Sequence, residues 1–99
     1  MPNSHYFVTE AASLVDDAVT SIRNRGFTRE HAVKQAAQSL GVPESRAKAL
    51  LYGKVFAVAA EEYRSIKARF LAHLDAEAEY LSQRAEAARM RRREMERDI

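Results

Sequence analysis

Apolar residues in the first forty positions recur at helical spacing. Ala11, Val15, Ala18, Val19 and Ile22 fall on one face of a 3.6-residue repeat, and Val33, Ala36, Ala37 and Leu40 form a second such face. Thr9 is placed to cap the first helix, with Glu10 favourable in its first turn. Residues 1–8 then read as irregular, with Tyr6, Phe7 and Val8 apolar enough to dock on a neighbour. Gly26 supplies a left-handed stop, and Thr28 is a second cap.

The next break is abrupt. Gly41 can take positive φ and close the preceding helix. Pro43 biases Val42 away from the α region, while its own fixed φ suits the first position of a new helix. Ala47 and Leu50 point back from that new helix. Gly53 either ends it or lies within it, since an interior glycine costs only about 1 kcal/mol relative to alanine.

From Lys54 to Arg97 there is neither proline nor glycine, 44 residues that would span about 66 Å as one helix. Its apolar positions are Phe56, Ala59, Tyr63, Ile66, Phe70, Leu74, Ala78, Leu81, Ala85 and Ala88. Their steps of three and four make a heptad-like seam with one irregularity near Leu74. Two helices ahead of it cannot cover a seam this long, so its expected cover is a second copy of the chain, favoured by the commonness of twofold homo-oligomers, or else a fold-back of its own distal part. The pattern predicts an all-α fold: a small helical bundle over 1–53 and a long coiled-coil-like helix over 54–99.

With 46% apolar and 30% charged residues, the composition suits a soluble helical protein. No cysteine is present, which excludes disulfides and thiolate metal sites. No apolar run is long enough to span a membrane, and the first ten residues lack a secretory pattern, so the expected compartment is the cytoplasm. The net charge of +2 says little until it is divided. Residues 23–54 carry seven bases against two acids, a local +5, whereas residues 1–22 carry −3. A basic patch around the Gly41 break suits a polyanionic partner.

Residues 33–52, VKQAAQSLGVPESRAKALLY, resemble the helix-turn-helix of bacterial and phage DNA-binding proteins. That pattern has a small residue four before the turn glycine (Ala37), apolar residues beside it (Leu40 and Val42), and apolar residues six and nine after it (Ala47 and Leu50). Ala47 stands where a branched Val or Ile is usual. The resemblance implies that the helix after Pro43 enters the major groove with its first residues at the base edges. Ser45, Ala49 and Tyr52 lie opposite its buried side, flanked by Arg46 and Lys48, so these five are the expected base readers. Arg25, Arg29, Gln35 and Lys54 are the expected phosphate contacts. The expected dimer seam comprises Phe56, Ala59, Tyr63, Ile66, Phe70, Leu74 and Leu81.

Other chemistry finds little support. His5, His31 and His73 are scattered, and although His73 and Glu77 share a helical face, no Glu-x-x-His spacing occurs. No metal or cofactor is expected, and with no phosphate-cradling loop or nucleophile elbow, neither is an enzyme. The expectation is a homodimeric, sequence-specific transcriptional regulator of duplex DNA, of phage or plasmid type. Two alternatives use the same parts: a protein-interaction module acting through the long helix, as a phage-type inhibitor or assembly adaptor, or the DNA-recognition subunit of a packaging or partition machine.

Overall fold

The computed structural model describes residues 4–97, and within that range the protein is all-α. The side chains of Ser4 and His5, and residues 1–3, 98 and 99, lie outside the description. Four helices follow in order: α1 (Ser4–Arg23), α2 (Arg29–Leu40), α3 (Glu44–Leu51) and α4 (Ala60–Arg97).

The first helix starts before Thr9, which is an exposed interior position and not a cap. Phe7 explains the difference: its ring stacks on Tyr63 of α4 at 5.1 Å between centroids. Aromatic and β-branched residues have modest helix propensity, and tertiary packing overrides it here. Along α1, Ala11, Val15, Ala18, Val19 and Ile22 are buried, and α1 packs against all three other helices. It shares the centre of the core with α2, which also packs against all three others.

Capping of α2 follows the sequence at both ends. Thr28 Oγ1 accepts the His31 amide at 3.2 Å. Gly41, at φ 69°, lets the Val42 amide donate back to the Ala37 carbonyl at 3.0 Å. Pro43 sits one position earlier than expected, as the residue preceding α3, with φ −60° and ψ 146°. Its carbonyl accepts the Ala47 amide at 3.0 Å, the first turn of α3.

Gly53 ends α3. At φ 68° it repeats the Gly41 geometry, with the Lys54 amide donating to the Ala49 carbonyl at 2.9 Å. The long helix therefore begins at Ala60 and not at Lys54. Between them the chain is non-helical, anchored by Val55 and Val58, which are buried in the core. Phe56 and Ala59 are consequently not on the long helix, and Phe56 is 91% exposed.

The 38 residues of α4 divide at about Tyr80. Up to that point Tyr63, Ile66, Phe70, His73, Glu77 and Tyr80 face the bundle, with Ile66 fully buried. From Leu81 to Arg97 every side chain is exposed, so about 25 Å of helix projects alone. The radius of gyration is 17.5 Å, against about 13 Å for a compact domain of this length. No helix among the described residues is long and apolar enough to cross a membrane.

Candidate nucleic-acid interface

The corner between α2 and α3 is built from small side chains. Ala36, Ala37 and Leu40 of α2, together with Ala47 and Leu50 of α3, are all at most 2% exposed. Burial of Ala47 and Leu50 fixes the rotation of α3 and therefore what it presents outward. Ser45, Lys48 and Tyr52 are exposed, with Tyr52 at 58%, and Ala49 is half-buried.

Arg46 has a different environment. Its Nε and Nη2 donate to the two carboxylate oxygens of Glu62 at 3.0 and 2.8 Å. A further bond runs from Nη2 to the Ala57 carbonyl at 3.1 Å. This forked arrangement ties α3 to the 54–59 segment and to the first turn of α4. The guanidinium is held above its ordinary pKa range by the hydrogen bond to Glu62, against the lowering effect of burial, with Coulombic attraction to Glu62 adding to the rise. Arg46 is thus occupied in bracing the exposed helix, leaving the outward face to Ser45, Lys48, Ala49 and Tyr52.

Some of the expected phosphate contacts converge on that face. Arg29 lines a shallow groove with Glu30, Val33, Lys48 and Tyr52. Lys54 is exposed just beyond the end of α3. Arg25 is elsewhere: its guanidinium lies 4.3 Å from the centre of the Tyr80 ring. Tyr80 and Glu62 are 18 positions apart on α4, about 27 Å, so Arg25 and Arg46 mark opposite ends of the bundle. The Gln35 side-chain amide lies 2.9 Å from His31 Nε2, and Phe27 stacks on the same imidazole.

Acidic groups interrupt the basic surface. Lys48 pairs with Glu44 at 3.3 Å across one turn of α3, and Glu44 and Glu30 flank Lys34 in the neighbouring depression. With both partners well exposed, the Lys48–Glu44 pair is weak and exchangeable.

One polar cluster has no counterpart in the expectations. Ser21 of α1 lies 3.1 Å from His73 Nε2 and donates its hydroxyl to Glu77, which is itself 3.6 Å from the same Nε2. The i,i+4 spacing of His73 and Glu77 is visible in the sequence, but the third member comes from 52 positions away in the chain. Serine and carboxylate both approach one ring nitrogen, whereas a hydrolytic triad needs them on opposite nitrogens. The cluster is a polar fastening between α1 and α4.

Compared with known proteins, the chain matches no family model, no curated protein and no solved structure.

Proposed function

We propose that the protein binds duplex DNA through the outward face of α3 and acts as a small cytoplasmic transcriptional regulator, by binding and not by catalysis. The observation that carries this reading is the α2–Gly41–α3 corner. Its buried alanines and leucines hold a short exposed helix bearing Ser45, Lys48 and Tyr52 beside Arg29. In a major groove, Lys48 would donate to guanine, Ser45 to several bases, and Ala49 would meet a thymine methyl. Arg29 and Lys54 would contact phosphate. Lys48 would exchange its exposed pairing with Glu44 for the nucleic acid, while Arg46 stays with Glu62 and keeps α3 in place.

The exposed leucines of α4 support a homodimer. Leu71, Leu74 and Leu81 are 53%, 44% and 54% exposed and lie along one side of that helix. The same stripe is what favours the second reading, an interaction module whose α4 docks on a different protein. Selection of bound sequences from a random duplex pool at near-physiological salt separates the two. A regulator recovers a defined site, whose recognition Lys48→Ala weakens and relaxes. An interaction module recovers none.

A further inference from the structure

We infer that the free stripe of α4 pairs with a second copy of this chain in antiparallel orientation, with the twofold axis at the level of Gln83. The inference deepens the dimeric reading above and rests on it.

The stripe runs beside the face that α4 turns to its own bundle, and Leu74 at the border also lines a groove with Asp17 and Thr20 of α1 and with Asn24. The bundle face runs through Tyr63, Ile66, Phe70, His73, Glu77 and Tyr80. The free stripe runs through Leu71, Leu74, Ala78, Leu81, Ala85 and Ala88, all exposed, and continues to Met95 at 62% exposure. Its steps alternate three and four from Leu71 to Ala88, the spacing of a two-helix seam, and Arg92 takes the next seam position before Met95. The irregularity near Leu74 in the longer pattern marks the change from one face to the other.

Charge chooses the direction. Of the exposed residues flanking the stripe, Asp75 near the bundle is acidic, and Arg89 and Arg91 farther out are basic. In an antiparallel pair centred at Gln83, Leu81 meets Ala85 of the second copy, Ala78 meets Ala88 and Leu71 meets Met95. The same register sets Asp75 beside Arg89, twice by symmetry. Small alanines at 78, 85 and 88 allow the two axes to approach closely. Arg92 meets Leu74, where its aliphatic stem can lie along the seam with the charge in water. Arg84 meets its own copy, but each Arg84 is drawn back to Tyr80 of its own chain, Nη1 to Oη 3.4 Å.

The alternatives are poorer. A parallel pair sets Arg84 against Arg89 and Arg92 against Arg92 in the seam, with only Arg91 and Glu96 in favour. Sliding the antiparallel pair by one heptad either moves Asp75 from Arg89 to the uncharged Ser82 or sets Asp75 against Glu96 and Arg84 against Arg91. The centred register also leaves the two bundles at opposite ends of the pair. The Glu61 positions are then about 66 Å apart. Half-sites read by the two α3 helices would be separated by about two turns of duplex, not one.

Single cysteines can be introduced freely, since the chain has none. Spin labels on Ser82→Cys, at the axis, and on Glu61→Cys, at the bundle end, are read in the full-length protein without DNA. The expected result is a particle of twice 11.2 kDa, a label separation at 82 below roughly 25 Å given helix axes 8–10 Å apart, and one at 61 near 66 Å. Asp75→Arg should weaken the dimer about tenfold, and adding Arg89→Asp should restore it, because these residues meet only in this arrangement. A dimer with a short 61–61 separation, or a swap without rescue, overturns the antiparallel pair and leaves DNA binding untouched. A monomer at about 100 µM overturns the pair altogether. Failure to bind any DNA, with the label distances as expected, would instead sink only the regulator reading.

Discussion

Breaking the Arg46–Glu62 fork tests whether Arg46 braces α3. Two charge-assisted hydrogen bonds join the side chains, and a third reaches the Ala57 carbonyl. A hydrogen bond to a charged group contributes about 1.5–3 kcal/mol when well shielded. The side chains here are 33% and 29% exposed, so solvent screening moves the pair toward the exposed range of about 0.2–1 kcal/mol. Forked geometry recovers part of the difference, giving an expected coupling of about 1–1.5 kcal/mol. Urea denaturation of Arg46→Ala, Glu62→Ala and the double variant would measure it as a double-mutant cycle. Arg46→Ala should lower Tm by about 5–10 °C, since 1 kcal/mol corresponds to about 4–8 °C in a chain of this size. The raised arginine pKa stabilises the fold fully below the ordinary guanidinium value and is lost only as pH rises through the still higher folded value. Titration of Arg46 should therefore leave its contribution unchanged between about pH 6 and 9. A coupling below about 0.3 kcal/mol, with DNA binding lost in Arg46→Ala but kept in Glu62→Ala, would refute the bracing role and return Arg46 to the base-reading set.

Further predictions follow from the same geometry. Gly41→Ala should cost about 1–2 kcal/mol in thermal denaturation, because a Cβ at φ 69° is strained and would stand 2.6 Å from Arg69 Nε. Gly53→Ala, strained alike but with open space around it, should cost no more. Glu44→Gln, which removes an acid beside Lys48, should tighten duplex binding about two- to fivefold at low salt, with the gain shrinking as salt is added. Ending the chain after Tyr80 removes only exposed side chains from the described helix, so circular dichroism should show the bundle melting cooperatively, while gel filtration shows a monomer.

Much of this arrangement is legible in local chemistry. The Thr28 cap, the Gly41 stop and the buried Ala37, Leu40, Ala47 and Leu50 are all readable from residue type and spacing, because each depends on neighbours within a turn or two. Where long-range contacts decide, the sequence misleads. Phe56 and Ala59 continue the three-four spacing of the long helix, yet Val55 and Val58 carry a competing pattern that the core rewards by burial. The early start of α1 depends on Phe7 finding Tyr63, and the reassignment of Arg46 depends on Glu62, sixteen positions away. Neither partner announces itself locally. The Leu74 irregularity was visible in the spacing, but its meaning needed the bundle: one face of α4 is covered up to Tyr80 while another is left open.

The most direct test of the central claim is selection from a random duplex pool by the full-length protein at near-physiological salt, repeated with Lys48→Ala and Tyr52→Ala. The account predicts an inverted repeat for the native chain, with each substitution weakening binding and Lys48→Ala relaxing a base position by about 1–3 kcal/mol. Enrichment of no sequence by folded protein, or of the same site undiminished by both substitutions, would contradict it.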